Sequence, residues 1–238
     1  MLIKKTFLIA LALNSVLACF CQPVKDWFNN GKEKAKSNDY AGCITVMNMV
    51  ITAMPNFDSA YYLRGLAKFG LKDYIGSITD FNKAIEINPN DKKDYCYRGM
   101  AKTELQDYRG AILDLTKAID MDSNYFLAYH FRGLSKSSLA DYRGAIADFN
   151  KVVSGNSSYV PHSYSSMASA KFKLEDFKGT IDAADMAIRL DSTLAGPYQI
   201  RGLTKLLMEQ KDSGCLDLSK AGELGSPEAY ELIKKICN

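Results

Sequence analysis

The chain has 238 residues, of which 47% are hydrophobic and 24% charged, a balance typical of ordered soluble proteins. Its formal charge at pH 7 is +3, and loss of Lys4 and Lys5 with an N-terminal leader lowers this value from +3 to +1. A nearly neutral chain lacks the positive field that attracts nucleic acid or an anionic membrane surface. Neither is therefore expected as a partner.

The segment 1–21 is predicted to be a signal peptide. Lys4 and Lys5 supply a basic start, and the apolar segment 7–17 is too short to span a bilayer. The sequence VLAC at 16–19 resembles a bacterial lipobox, and cleavage there would leave a lipidated Cys19 as the only membrane anchor. Cleavage after Cys21 would instead release a soluble chain. Both routes predict export to the periplasm or to an envelope membrane, and the sequence leaves the choice between them open.

Six related segments fill the rest of the chain. The clearest copy, RGMAKTELQDYRGAILDLTKAI, starts at Arg98, and the six starting residues are separated by 34, 34, 34, 35 and 34 residues. A constant period in this range indicates a repeat architecture, in which each unit buries its apolar face on its neighbours. The starting residues are Asn30, Arg64, Arg98, Arg132, Met167 and Arg201.

Each repeat is predicted to contain two antiparallel helices. In the second repeat, apolar residues indicate a first helix over 58–71, and Asp73 is a suitable N-cap for the next helix. An apolar stripe with helical spacing runs from Ile78 to Ile87, and Pro89 ends the second helix because the residue before proline avoids helical geometry.

The repeat boundaries are regular except at one joint. The segment VVSGNSSYVP carries one extra residue, with Gly155 expected to end a helix and Pro161 to open the next. The predicted repeats lie near 24–57, 58–91, 92–125, 126–160, 161–194 and 195–226, followed by a capping helix over 227–237.

Small residues recur in register where the paired helices must approach each other. A glycine inside a helix costs about 1 kcal/mol relative to alanine, so its repetition indicates close helix crossing. The first helices carry Gly31, Gly65, Gly99, Gly133, Ala168 and Gly202 at this position.

These motifs resemble the tetratricopeptide repeat (TPR), a pattern of 34 residues with conserved aromatic, leucine, glycine, tyrosine, alanine and proline slots. In the second repeat, Tyr61 and Phe81 fill the aromatic slots, Ala84 an alanine slot and Pro89 the closing slot. The leucine slot departs from the pattern, because four repeats hold arginine there. The resemblance covers roughly residues 22–238 and implies an all-α fold: a right-handed α-solenoid of six TPR helix pairs plus a C-terminal capping helix.

The arginines in the leucine slot have a matching acid. An aspartate stands 16 residues after each of them, and the repeats that start at Asn30 and Met167 lack both residues. Since 16 residues span the turn between paired helices, we predict ion pairs inside the repeats rather than a stack of ligand-binding arginines. The predicted pairs are Arg64–Asp80, Arg98–Asp114, Arg132–Asp148 and Arg201–Asp217.

The histidines and cysteines suggest no metal site. His130 and His162 lie on predicted first helices and are expected at the surface, because no acid or cysteine joins them as a ligand. Cys43 occupies a small core slot. In an oxidising compartment, Cys215 and Cys237 would link the cap to the last repeat, as in similar exported TPR proteins, and contribute ~3 kcal/mol. The sequence leaves open whether this bridge forms.

No catalytic constellation is apparent in the sequence. It contains no glycine-rich phosphate loop, nucleophile elbow or His-Glu zinc motif, so neither enzyme activity nor a cofactor or metal is predicted.

The resemblance implies that the first helices line a concave groove with an apolar floor and few charges, suited to a peptide with apolar anchors. The family's carboxylate clamp is missing, because its positions hold residues such as Tyr62, Cys96 and Leu134. The leading hypothesis is an envelope scaffold with a protein or peptide partner; a small-molecule carrier and a self-assembling component are the alternatives. The expected groove residues include Phe28, Lys32, Tyr62, Leu66, Phe69, Lys93, Met100, Leu127, His130, Leu134, His162, Phe172 and Gln199.

Overall fold

A computed structural model describes residues 23–237, and all regular secondary structure in this range is helical. The prediction of an all-α fold built from paired helices is confirmed. The leader and the candidate lipidation site Cys19 lie outside the described residues. The helices are α1 (23–36), α2 (Tyr40–Ala53), α3 (Asp58–Gly70), α4 (Tyr74–Ile87), α5 (Lys92–Glu104), α6 (Tyr108–Met121), α7 (Phe126–Ser138), α8 (Tyr142–Val153), α9 (Val160–Lys173), α10 (Phe177–Leu190), α11 (Ala195–Leu207), α12 (Lys211–Glu223) and α13 (Pro227–Leu232).

The chain divides into two compact units, Met1–Leu105 and Gln106–Asn238. In the described part of the first unit, α2 packs on α3, α3 on α4, and α4 on α5. In the second unit, each helix from α6 to α12 packs on the next one along the chain. Neighbours in sequence are therefore neighbours in space, which is how repeat proteins bury their apolar faces.

Aspartate side chains fix where the second helix of a repeat begins. The N-caps of α2, α4, α6, α8 and α10 are all aspartates, and each carboxylate accepts a hydrogen bond from a backbone N–H three residues later, at 2.9–3.0 Å. Such a cap satisfies a helix N–H that has no partner within the helix. The predicted N-cap Asp73 is thereby confirmed, and the other capping residues are Asp39, Asp107, Asp141 and Asp176.

The paired helices cross closely at the small residues, as the register predicts. A Cβ atom added to Gly133 would lie 2.6 Å from the ring of Phe149, and one added to Gly31 would lie 2.3 Å from the methyl group of Met47. Both Phe149 and Met47 are fully buried. The absence of a side chain at the glycines thus lets a large apolar side chain of the second helix reach the core.

The irregular joint differs from its prediction in one respect. Helix α8 ends at Val153 with Ser154 as its C-cap, so Gly155 is not the residue that ends the helix. A Cβ at Gly155 would instead meet the ring of Phe126 at 2.3 Å. The glycine is therefore explained by close packing, whereas Pro161 does lie in the first turn of α9 as predicted.

The C-terminal cap is α-helical over Pro227–Leu232. After α13 the chain continues as a wider π-helical turn, Ile233–Cys237, in which Lys234 and Lys235 are exposed. Cys237 is bonded to Cys215 of α12, with Cα atoms 5.8 Å apart. The bridge joins the end of the described chain to the last repeat, beside a small core of Leu218, Ala221 and Ala229.

The turns between paired helices use the left-handed backbone region without glycine. Within 23–237, six residues other than glycine have φ values of 60–63°. This backbone region costs L-residues roughly 1–2 kcal/mol. Each directly precedes the first residue or N-cap of a second helix. They are Asn38, Lys72, Gln106, Ala140, Glu175 and Glu209.

The substitution Ala140→Gly is expected to stabilise the protein. Glycine adopts the φ of 62° found at Ala140 without steric cost, and this gain exceeds its larger entropy loss on folding, so the free energy of unfolding should rise by ~0.5–1 kcal/mol. Ala147→Gly, the same change at an exposed position inside α8, should lower it by ~1 kcal/mol. Urea denaturation of both variants checks this, and equal signs would contradict it.

Candidate functional site

A pocket of about 230 Å³ lies in the first unit. It is formed by α1, α3 and the start of α5, which are the predicted first helices of three successive repeats. Four expected groove residues contribute to its walls: Phe28, Lys32, Tyr62 and Lys93. The remaining lining residues are Ser59, Leu63 and Asp91.

Aromatic rings form the apolar wall of the pocket. The ring centroid of Phe28 lies 4.9 Å from that of Phe57, and the Tyr62 centroid lies 5.9 Å from that of Tyr97 and 6.0 Å from that of Phe81. Because these neighbours hold the rings in place, little side-chain entropy remains to be lost on binding. Burial raises the pKa of Tyr62 far above its ordinary value, so its phenol stays protonated.

The rim of the pocket is charged, contrary to the expectation of few charges. Lys32 Nζ lies 5.9 Å from the ring centroid of Phe28, and Lys93 is exposed on the first turn of α5. Asp91 is the N-cap of α5 and accepts a hydrogen bond from the backbone N–H of Lys93 at 2.8 Å. The charges arise because the end of a repeat, which is polar, lies beside the aromatic wall.

Asp94 is a buried carboxylate next to this rim. Asp94 is only 2% exposed, and its Oδ1 has no hydrogen-bond partner in the structure of residues 23–237. Burial, followed by the nearby charges of Asp91 and Asp58, raises the pKa of Asp94 to about 7. Sequence reasoning missed this residue, because the first repeat also holds an acid, the exposed Asp26, at the same register position, and the sequence does not show which of the two is buried.

The other expected groove residues are distributed along the first helices. Leu66 and Phe69 are half-buried on α3, where the Phe69 centroid lies 5.3 Å from that of Tyr74, and Met100 is buried on α5. None of these three lines the pocket. In the second unit, Leu127, Leu134 and Phe172 are half-buried, His162 is exposed, and Gln199 accepts a hydrogen bond from Ser226 at 2.8 Å.

His130 is not at the surface, so that expectation is wrong. It is 5% exposed, and its Nδ1 lies 2.8 Å from the hydroxyl oxygen of Ser163. Its ring centroid is 5.1 Å from that of Tyr159 and 5.9 Å from that of Phe149. Tyr159 belongs to the irregular joint, which the simple repeat register does not describe. Burial lowers the pKa of His130 to about 4.

In the fourth repeat, the arginine of the leucine slot contacts three other residues. Arg132 donates from Nε and Nη2 to the Asp148 carboxylate at 2.9 and 2.7 Å, and from Nη1 to Thr116 of the preceding second helix at 3.0 Å. Lys136 Nζ lies 2.8 Å from the same carboxylate, and the guanidinium carbon lies 5.3 Å from the Tyr129 ring centroid. The guanidinium therefore joins two successive repeats as well as the two helices of its own.

The same arrangement recurs in both units. Arg64 donates to Asp80 at 2.9 and 2.6 Å and to Asn48 at 2.7 Å. Arg201 likewise contacts Asp217, 16 residues later, and Asp185, 16 residues earlier. Sequence reasoning predicted the later partner but missed the earlier one, because that position varies among asparagine, threonine and aspartate.

The third pair remains a prediction. Arg98 donates from Nη1 to Asn82 at 2.8 Å within the first unit, whereas Asp114 belongs to the second unit. In the fifth repeat, Met167 replaces the arginine and packs in an apolar cluster with Phe149 and Ala183. Apolar contact thus takes the place of the ion pair there.

Comparison with known proteins identifies the repeat. The family model described as tetratricopeptide repeat matches residues 59–91, which include α3 and α4. Solved structures with this arrangement of helices match most of the chain. Residues 59–91 are therefore similar to a tetratricopeptide repeat, and the other described helices follow the same paired arrangement. The family resemblance read from the sequence is thereby confirmed.

Three similar TPR structures have nearly equal TM-scores. A chain of the APC/C hetero-tetramer Cut9–Hcn1 has a TM-score of 0.78 and 16% identity, with 90% of this chain and 43% of that chain covered. Pseudomonas aeruginosa PilF has a TM-score of 0.77 and 14% identity, covering 91% and 99%. PilW, a type IV pilus biogenesis factor, has a TM-score of 0.78 and 14% identity, covering 89% and 99%. At such identities the likeness shows the fold alone. A search of curated protein sequences finds no match.

Metal binding and membrane-spanning helices were also considered for the described residues. Within residues 23–237, no group of three or more histidine, cysteine or acidic side chains is arranged to hold a metal ion. In the same range, no helix has both the length and the apolar character needed to cross a membrane.

Loss of an arginine should destabilise this TPR fold. In Arg132→Ala, the carboxylate of Asp148, which is 4% exposed, loses its bidentate partner, and we expect the free energy of unfolding to fall by ~1–3 kcal/mol. The double variant Arg132→Ala/Asp148→Ala removes the stranded charge and should recover part of the loss. Denaturant unfolding of the single and double variants measures the coupling. A coupling energy near zero would contradict the pairing.

The stability of the protein should depend on His130 in acid. Its pKa of about 4 in the folded state lies below the ordinary value near 6.5, so the unfolded chain binds a proton first as pH falls. Stability is then full above about pH 6.5, and ~2–3 kcal/mol is lost as pH falls to about 4. His130→Gln should flatten this part of the profile, whereas His162→Gln should retain most of it, because burial of His130 lowers its pKa more than the charge of the exposed His162 does. Urea denaturation at several pH values is the measurement, and equal slopes for wild type and His130→Gln would contradict it.

Proposed function

We propose that the chain is a non-catalytic scaffold of the bacterial cell envelope that binds a peptide or protein segment along its first helices. The observation that carries this proposal is the pocket of the first unit, in which successive first helices combine two aromatic walls with a charged rim. Interfaces draw most of their binding energy from a few such positions, where an apolar anchor is surrounded by polar contacts.

The size of the pocket favours a peptide over a small-molecule ligand. Its volume of about 230 Å³ is below the roughly 300–1,000 Å³ typical of small-molecule sites. A carrier was expected to enclose its ligand near Tyr62, Phe69 and Met100, but Phe69 does not line the pocket and Met100 is buried. The pocket fits one side chain of a longer ligand that continues along α3 and α5.

A non-catalytic role is proposed because the paired Ser163 and His130 and the thiol of Cys43 are all buried. The hydroxyl of Ser163 lies beside His130, but Ser163 is fully buried and no substrate reaches it. Cys43 is also fully buried, and burial raises the pKa of its thiol to about 11, which suppresses the nucleophilic thiolate.

The envelope location rests on two supports. The predicted leader at 1–21 directs the chain out of the cytoplasm, with Cys19 as the lipidation site if the lipobox is used. Among the structural neighbours, PilW is a type IV pilus biogenesis factor and matches over 89% of this chain. The partner is then a protein of the periplasm or of an envelope membrane.

A site-specific cross-linking experiment tests the binding role. A photoreactive amino acid in place of Lys93, at the rim, should capture a partner from envelope extracts, whereas the same group in place of the exposed Lys220 of α12 should not. Tyr62→Ala should reduce the Lys93-position product at least tenfold, because it removes an aromatic anchor. Tyr230→Ala, at a residue 52% exposed on α13, is the matched control. Equal yields with Tyr62→Ala and Tyr230→Ala would contradict the proposal.

A further inference from the structure

Asp94 is out of place in the repeat register. The equivalent position holds the exposed Asp26 in the first repeat, whereas in the four remaining repeats it holds a small or apolar residue that is buried: Ala60, Ala128, Ser163 and Pro197. A carboxylate in such a position costs free energy unless it is paired. Its Oδ1 is nevertheless without a hydrogen-bond partner in the described structure. Because unsatisfied buried acids are rare in folded proteins, this one calls for a functional explanation.

Three carboxylates converge at this end of the pocket. Asp91 lines it, and Asp58 at the start of α3 accepts hydrogen bonds from Asn88 at 2.9 Å and from Ser59 at 3.3 Å. The negative charges of both Asp58 and Asp91 act on Asp94. Asp94 in turn acts on Tyr62 of the aromatic wall, which places the buried acid close behind the lining residues.

The positive charges of Arg98 and Lys93 act on Asp94 and lower its pKa, but burial and the two neighbouring aspartates outweigh them. Arg98 donates to Asn82 at 2.8 Å and lies 5.5 Å from the ring centroid of Tyr95, and it is not a hydrogen-bond partner of Asp94 Oδ1. Lys93 and Lys32 are exposed at the rim, where water solvates their charges. The uncompensated charge is therefore the buried carboxylate and not the lysines.

We propose that the pocket of the first unit receives a cationic side chain of the partner, arginine in particular, whose guanidinium passes between Phe28 and Tyr62 and pairs with Asp91 and Asp94. This inference rests on the proposed function and names the chemistry of the anchor. Entry is along the aromatic wall, where a cation gains from the ring faces. Asp91 is met first at the rim, and a small rotation of the wall side chains opens Asp94.

The chain itself shows that this combination of groups holds an arginine. In the second repeat, the guanidinium of Arg64 lies 5.5 Å from the Tyr61 ring centroid and donates twice to Asp80, which is 2% exposed. The pocket likewise presents the ring of Tyr62, and the buried carboxylate of Asp94 lies behind its lining residues. Arginine is favoured over lysine, because its planar fork of donors serves two carboxylates and stacks on aromatic rings.

The protonation of Asp94 gives the interaction a distinctive pH dependence. Its pKa in the free protein is raised to about 7, so the carboxylate is largely charged at pH 8 and largely neutral at pH 6. Because the pKa of this acid is raised on folding, its burial costs stability increasingly as pH rises from about 4 to 7. A bound cation offsets that cost, so affinity should rise with pH through 7.

The experiment uses three peptides, Ac-Ala-Leu-X-Leu-Ala-NH₂, in which X is arginine, its neutral isostere citrulline, or glutamate. Each is titrated into the purified protein, and backbone amide shifts of Ser59, Tyr62 and Lys93 are followed by NMR at pH 8 and pH 6. At pH 8 the arginine peptide should bind at least tenfold more tightly than the citrulline peptide. Its affinity should fall several-fold at pH 6.

Two variants separate binding from folding. Asp94→Asn should weaken the arginine peptide about tenfold at pH 8 and abolish the pH dependence, while its melting temperature stays equal or rises. Asp120→Asn, at an exposed position on α6, should change neither property. Tighter binding of the glutamate peptide, equal binding of arginine and citrulline, or unchanged affinity in Asp94→Asn would each overturn the inference. If Tyr62→Ala loses the cross-linked partner while Asp94→Asn keeps it, the scaffold role stands and the cationic anchor does not.

Discussion

An arginine side chain that recurs along the chain connects the two helices of a repeat with each other and with the preceding repeat. In the fourth repeat, Arg132 holds the carboxylate of its own second helix, Asp148, and reaches Thr116 in the repeat before it. A leucine in the same slot contributes only apolar contact, whereas the arginine adds directional bonds that fix both the helix pair and its neighbour. The free energy of such a bond depends on burial of the acid, and Asp148 is 4% exposed. Arg64, Arg132 and Arg201 are therefore engaged in contacts within the fold.

With the repeated residues assigned to the fold, specificity falls to the residues that differ between repeats. The pocket of the first unit illustrates this: Phe28, Tyr62 and Lys93 occupy first helices of different repeats and combine into one surface. Asp94 is the sharpest departure, since a buried acid stands where four other repeats bury a small or apolar residue. Local rules of folding are broken most often where binding requires it, and a buried acid beside an aromatic pocket fits that pattern.

Much of the fold was predictable because its determinants are local or periodic. The capping aspartates, the 34-residue period and the arginine–aspartate spacing of 16 residues are all visible in the sequence. The partner 16 residues before each arginine was not predictable, because asparagine, threonine and aspartate can each accept a hydrogen bond at that position. His130 was misjudged because its burial depends on Tyr159, in a joint one residue longer than the others. The exposure and charge of the pocket were not predictable either, because they arise only when α1, α3 and α5 come together.

The presence of Met167 in place of arginine affects where successive repeats would separate. Repeat proteins behave nearly as one-dimensional chains, in which each junction between neighbours has its own free energy. The junction between the fourth and fifth repeats lacks the guanidinium link and depends on apolar packing and on the contact between His130 and Ser163. Within the second unit, mechanical load or acid would then separate the repeats first at this point. When this junction separates, the helix pairs on either side of it would remain folded.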